Sequence, residues 1–161
     1  DVKYPNATGV IANRDSLNTR KEKVYSSVKT LKTAGGQEVT SFAKHKNFDD
    51  DLWSGLIAEE KEIPMAVESW LNGAAKNYDS VCSTDVTVYD ISSISLNGNN
   101  FKSSMDHSKW GASETGDKPV ICVGDINRQQ SQAKRGGGAL CMQDAKIWKP
   151  WNQIIASRKP C

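Results

Sequence analysis

The chain has 161 residues, enough for one domain with a real core and too few for two ordinary ones. Hydrophobic residues make up 37%, which argues against wholesale disorder, and no apolar run approaches the roughly 18–20 residues of a membrane span. A net charge of +2 is only mildly basic and does not by itself point to nucleic acid, although two histidines would add positive charge on acidification.

Residues 1–23 are polar and read as turns with a short helix. The start, Asp1-Val2-Lys3-Tyr4-Pro5, has no basic and apolar signal pattern, which does not make the protein cytosolic, because a processed chain has already lost its signal. Asn6-Ala7-Thr8 is a glycosylation sequon. Val24 to Phe42 predicts a hairpin: Val28 and Leu31 precede Ala34-Gly35-Gly36, Val39 and Phe42 follow, and glycine supplies the positive φ of a tight turn. Asp49-Asp50-Asp51 ahead of Leu52, Trp53, Leu56 and Ile57 predicts a helix whose first turn gathers acids, a role preferred here over metal binding. Pro64 ends that helix, and Met65 to Leu71 reads as a strand.

Residues 72–83 are predicted to be loop or short helix, and Val86 to Leu96 a strand ending in the turn Asn97-Gly98-Asn99-Asn100. Met105 to Trp110 is expected to be a further strand, Val120 to Gly124 a buried one, and Gly136-Gly137-Gly138 to lead into a strand through Met142. Ala145 to Ala156 closes as an amphipathic helix with Ile147, Trp148, Trp151, Ile154 and Ile155 on one face. Strands interleaved with two helices indicate an α/β or α+β layered fold, a sheet flanked by helices. Trp53, Trp70, Trp148 and Trp151 are expected in the core, and Trp110 beside the functional groove. Lys21 to Lys23, Lys29, Lys32 and Lys44 to Lys46 are expected on a solvated face, with His45 at the surface.

Cys82, Cys122, Cys141 and Cys161 allow three complete pairings and suggest an oxidising compartment; no close Cys-x-x-Cys pair supports zinc. The stretch richest in chemistry is Asp106-His107-Ser108-Lys109-Trp110. On a strand His107 and Lys109 would project into one pocket, Lys109 to hold a phosphate oxygen and His107 to act as nucleophile or proton-transfer group. Asp125 and Asn127 share a parity after the Val120 strand: Asp125 is a candidate to orient an imidazole, Asn127 to donate to phosphate. Arg128, Lys134 and Arg135 are candidate phosphate contacts, and the glycines after them let backbone approach a ligand closely.

Together these elements carry a resemblance. Asp-His-Ser-Lys-Trp at 106–110, Cys-Val-Gly-Asp-Ile-Asn-Arg at 122–128, and Arg135-Gly136-Gly137-Gly138 running into Leu140-Cys141, a Trp-bearing helix and a terminal Pro160-Cys161 strongly resemble the C-terminal region of the deoxyribonuclease II family. Ser41-Phe42-Ala43-Lys44 and Asp50-Asp51-Leu52-Trp53-Ser54-Gly55 are similar to the family's Ser-Phe-Ala-Lys and Asp-Asp-Leu-Tyr-Ser-Gly elements. The match spans about residues 40–161 and is weak over 1–39.

The resemblance implies a phospholipase-D-like fold, a pseudo-dimer of two halves that each donate one His-x-Lys to a shared site. Residues 1–161 then form a single domain, the C-terminal half. The implied activity is acid endonuclease cleavage of double-stranded DNA with neither metal nor cofactor: one histidine attacks phosphorus to give a phosphohistidine, and the other protonates the leaving oxygen and then activates water. His107 takes one of these roles, Lys109 clamps phosphate, and Asp125 and Asn127 support them. The implied disulfides are Cys82–Cys161 and Cys122–Cys141. The implied partners are DNA and an N-terminal half-chain of the same precursor, or a second copy of this chain, with no membrane, and the implied location is lysosomal or secreted, with Asn6 glycosylated. Gly111 stands where some relatives carry cysteine. His45, in Lys44-His45-Lys46, is not part of a second His-x-Lys. The alternatives are a catalytically inactive DNA-binding or toxin-like relative, and a homodimeric phospholipase-D-like nuclease.

Overall fold

A computed structural model of the chain describes residues 24–72 and 76–161. The polar N-terminal segment and Asn6 lie outside the described residues. Ten strands follow in order: β1 (Ser26–Lys32), β2 (Glu38–Lys44), β3 (Met65–Glu68), β4 (Val81–Cys82), β5 (Thr87–Leu96), β6 (Asn99–Lys102), β7 (Trp110–Ser113), β8 (Val120–Gly124), β9 (Gly137–Gln143) and β10 (Ile155–Arg158). They form one sheet in the order β1-β2-β9-β8-β7-β3-β5-β10, with β4 and β6 also paired to β5. The β3–β5 pair is parallel and the other pairs are antiparallel.

The β1–β2 hairpin forms with Val28 opposite Phe42 and Gly36 at φ 83°, a left-handed position that favours glycine. Asp51 starts the next helical segment, accepting from the Ser54 amide at 3.1 Å and the Ser54 hydroxyl at 2.8 Å. Trp53–Ala58 then winds as a π-helix, with the Ile57 amide donating to the Leu52 carbonyl at 3.0 Å, and continues into α1 (Glu59–Lys61). Its Trp53, Leu56 and Ile57 join Phe42, Met65, Val67, Val88, Val120 and Cys122 in the core on one face of the sheet. The sheet residues of opposite parity, Ala66, Ala112, Trp110 and Ile121, pack on the other face with Ile91, Ile94, Trp148 and Trp151.

The expected layering of helices on a sheet is corrected by this architecture. The described residues form a ten-stranded mixed sheet, and their longest α-helix is α3 (Ala145–Gln153), nine residues, preceded by the four-residue α2 (Gln130–Ala133). The predicted final helix loses its last turn because Ile155–Arg158 pairs with β5 instead, Ile155 opposite Ile94. Ile147, expected on the apolar face of α3, is exposed. Asp144 caps α3 by accepting from the amides of Lys146 and Ile147.

Both expected disulfides are present, Cys82–Cys161 and Cys122–Cys141. The second joins residues directly opposite each other on β8 and β9, and the first ties the C-terminus to β4. Loop closure of this kind stabilises a fold by on the order of 3–4 kcal/mol per bridge. Gly111 is also explained: a Cβ there would sit 2.9 Å from the Trp53 ring and 3.0 Å from the Met65 methyl. The large Trp53 and the absent side chain at position 111 are complementary.

Candidate active site

The topology gathers the chemistry at one rim of the sheet. β2, β3 and β8 end there and β7 and β9 begin there, because Glu68 is opposite Trp110, Gly124 opposite Ala139, and Lys44 opposite Gly137. The rim therefore carries Lys44, Trp70, His107, Lys109, Asp125, Asn127, Lys134 and Arg135 within loops that adjoin one another.

His107 and Lys109 lie just before β7, and the expected strand over Met105 to Trp110 is not formed. Ser103–Met105 is a 3-10 turn, and residues 106–109 are irregular. The cause is local: the Asp106 carboxylate accepts from the Ser108 amide at 2.9 Å and the Ser108 hydroxyl at 2.7 Å, a turn that competes with the ladder. The Lys109 carbonyl still accepts from the Gly124 amide at 2.9 Å, which docks the loop on β8. The Lys109 ammonium turns back and donates to the His107 carbonyl at 2.6 Å, so both residues stay together without strand alternation. The His107 ring is exposed and stacks on Trp70, with centroids 4.2 Å apart and an interplanar angle of 25°.

Asp125 is exposed, and its Oδ1 accepts from the Gly138 amide at 2.8 Å while its own amide donates to the Gly138 carbonyl at 3.1 Å. Its carboxylate thus pins the start of β9, and among the described residues no side chain hydrogen-bonds to the His107 imidazole. The glycines make this contact possible: a Cβ at Gly137 would lie 2.5 Å from Asp125 Oδ1, and one at Gly138 would collide with the Phe42 carbonyl. Asn127 is buried, with its Oδ1 unpartnered.

Two expected DNA contacts stand in the interior instead. Arg128 is fully buried. Its Nε donates to Asp51 at 3.0 Å, its NH1 to Asp90, and its NH2 to the Asp79 carbonyl at 3.2 Å. Burial opposes the guanidinium charge, but Asp51 and Asp90 outweigh it and hold the pKa above its ordinary value. Burial pushes the Asp90 carboxyl up against the pull of Arg128 and Lys159. Trp110 is buried and meets Trp151 edge-on at 5.0 Å. Trp70, expected in the core, takes the place beside His107. Of the acids Asp49 to Asp51, which stand ahead of the helical segment rather than in its first turn, Asp51 holds Ser54 and serves as a buried counter-charge to Arg128.

Lys44 is likewise buried rather than solvated. Its ammonium donates to the carbonyls of Gln132, Ala133 and Arg135 at 3.0, 2.7 and 2.8 Å, using all three of its hydrogens. Burial lowers its pKa, opposed by Asp51, Asp50, Asp49 and Asp125, yet three carbonyl acceptors require the charged form. Lys44 thereby fixes the turn that presents Lys134 and Arg135, which are exposed. His45 accepts from the Asn47 amide at 3.2 Å and is half-buried against Tyr25.

Sequence reasoning also passed over Glu68, fully buried at the end of β3. The Ser103 hydroxyl lies 2.6 Å from Glu68 Oε2 and 2.7 Å from the Ile91 carbonyl. One hydroxyl has one hydrogen, and the carbonyl can only accept it. Burial, opposed by the Ser103 hydrogen bond, raises the Glu68 pKa to about 8, which favours a protonated acid able to complete the other bond. Its position between two core strands was the one signal available, and burial is not written in the sequence. Among the described residues no group of three or more His, Cys, Asp or Glu side chains is placed to hold a metal ion, and no helix is long and apolar enough to cross a membrane.

The deoxyribonuclease II family profile matches residues 3–161. Cell-death-related nuclease 7 of Caenorhabditis elegans is 42% identical over 133 residues, 83% of this chain and 36% of that protein. Plancitoxin-1 of Acanthaster planci is 36% identical over 132 residues, 81% of this chain and 37% of that protein. Deoxyribonuclease-2-alpha of Sus scrofa is 35% identical over 162 residues, 99% of this chain and 43% of that protein. The chain spans about two fifths of the length of these relatives, and it belongs to the deoxyribonuclease II family.

Proposed function

We propose that this chain supplies one half of the active site of an acid endonuclease that cleaves double-stranded DNA by phosphoryl transfer to histidine. The observation that carries the reading is the joining of His107 and Lys109 on an open rim, within a chain of this family. Lys109, with hydrogens left beyond the one given to the His107 carbonyl, would hold a non-bridging phosphate oxygen. One imidazole nitrogen forms a bond to phosphorus as the ester oxygen departs with a proton from the second histidine. Water, deprotonated by that second group, then breaks the P–N bond. His107 fills one of these roles, and the second His-x-Lys comes from the other half of the same precursor. Lys134 and Arg135, exposed on the same rim, would bind neighbouring phosphates, and Asn127 would donate to the reacting one.

The face over β2, β9 and β8 suits the other half. Val123 and Leu140 are cross-strand partners, both about half exposed, at a shallow depression of about 530 Å³ bordered by Ala43 and Asp125. A lysosomal or secreted location accords with two disulfides and with a buried Glu68 that favours acid pH. The test uses the intact protein containing this chain. Plasmid DNA is expected to be nicked near pH ~5 in chelator, with His107→Ala lowering the rate by at least about 10³-fold. Retention of most activity in His107→Ala would sink the assignment.

A further inference from the structure

The end of β3 grips the loop that carries His107 at four points. Glu68 meets Ser103 at 2.6 Å, and the Trp70 indole N–H donates to the Ser104 carbonyl at 3.0 Å. The Asn72 amide donates to that same carbonyl at 3.3 Å, and the Trp70 ring stacks on the imidazole. Trp70 thus fixes both the backbone of the loop and the ring it presents. The stack differs in kind from a hydrogen bond. Both imidazole nitrogens lie in the ring plane, so a partner on the face orients the ring without occupying either nitrogen. A carboxylate would occupy one of them, and the expected candidate, Asp125, is engaged by Gly138.

We propose that Trp70 is a positioning residue for His107, holding the imidazole by its face so that one nitrogen can react while the other remains free for a proton. The inference rests on His107 being a reacting group. It assigns a role to a half-buried tryptophan outside the His-x-Lys element, and it explains how an exposed histidine on an irregular loop keeps one orientation.

The experiment uses the intact protein with Trp70→Phe and Trp70→Leu, with His107→Ala for reference. Phenylalanine keeps an aromatic face and loses the indole N–H; leucine loses both. In Trp70→Leu, kcat is expected to fall about 10- to 100-fold with KM little changed, the scale of a reacting group displaced by about 1 Å. Trp70→Phe is expected to stay within about 5-fold of the parent, because Asn72 still holds the Ser104 carbonyl. Proton NMR, with His107 assigned by its loss in His107→Ala, reads the stack directly. The His107 ring protons are expected upfield in the parent, partly so in Trp70→Phe, and at unstacked positions in Trp70→Leu.

Circular dichroism melts show whether each variant is folded, and Trp70→Phe carries the test if Trp70→Leu is not. Equal loss of kcat in folded Trp70→Phe and Trp70→Leu would assign the effect to the lost N–H and overturn the proposal, as would unstacked His107 protons in the parent. Full activity in Trp70→Leu alongside an inert His107→Ala would remove Trp70 and leave the function standing. Activity in His107→Ala would instead overturn the functional reading.

Discussion

Arg128 and Lys109 are both cations close to the same rim of one sheet, and they have opposite surroundings. Arg128 follows β8, turns inward, and is enclosed by Asp51 and Asp90 with no exposed surface. Lys109 precedes β7 and rests on the carbonyl of an exposed neighbour. Two carboxylates close around Arg128, whereas among the described residues the Lys109 ammonium makes a single hydrogen bond. The first arrangement spends its charge on holding β5, the helical segment at Asp51 and the β8 loop together. The second keeps charge available to a ligand. The contrast separates a cation enclosed by the fold from one proposed to meet phosphate.

The contrast breaks most sharply at Arg128. Replacing it with methionine leaves Asp51 buried without its counter-charge and Asp90 with Lys159 at 3.8 Å. The expected loss is about 3–5 kcal/mol, read from urea unfolding, against a change within about 0.5 kcal/mol for His107→Ala. Similar losses in both variants would erase the distinction.

Glu68 gives the next effect, and it has a sign. Its folded pKa, about 8, lies above its ordinary value, so the folded state holds a proton that the unfolded state has released in between. The contribution to stability is complete below the unfolded pKa, near ~4.5, and is lost as pH rises through about 8. Glu68→Gln, which keeps a donor toward Ser103 without titrating, is expected to flatten the decline in unfolding free energy between those limits. An unaltered slope would mean that Glu68 is ionised in the fold.

A smaller effect is expected at Lys44, whose loss removes a donor from three carbonyls, of which that of Gln132 keeps the Arg135 amide at 3.1 Å. Lys44→Met is expected to cost about 1–3 kcal/mol and to make residues 132–136 sensitive to limited proteolysis while the β1–β2 hairpin persists. Uniform protection across both segments would refute its role in the turn. The smallest changes belong to Lys134 and Arg135. Substitution of either by alanine is expected to leave the unfolding midpoint in place and to reduce the salt slope of DNA binding by about one phosphate contact. Unchanged slopes in both would return them to ordinary solvated surface.

Much was legible in the chain because it is local. The hairpin at Gly35-Gly36 and the strands at Met65, Val86 and Val120 follow from alternation and from turn residues acting over a few positions. The ordered His-x-Lys, Gly-Asp-Ile-Asn-Arg and triple-glycine elements led to the family and to both disulfides, because several motifs in fixed order rarely recur by chance. Other features depended on which strand lies beside which. The periodicity of Ile154 and Ile155 suits the last turn of a helix, but an open edge of β5 offered hydrogen bonds to a strand. The tryptophans exchanged places for the same reason. Trp110 faces α3 because β7 lies between β8 and β3, and Trp70 meets His107 because β3 ends where β7 begins. Residue type therefore determined which groups are candidates for chemistry, while burial of Arg128, Lys44 and Glu68 was decided by long-range pairing, since desolvation depends on neighbours that are distant in the chain.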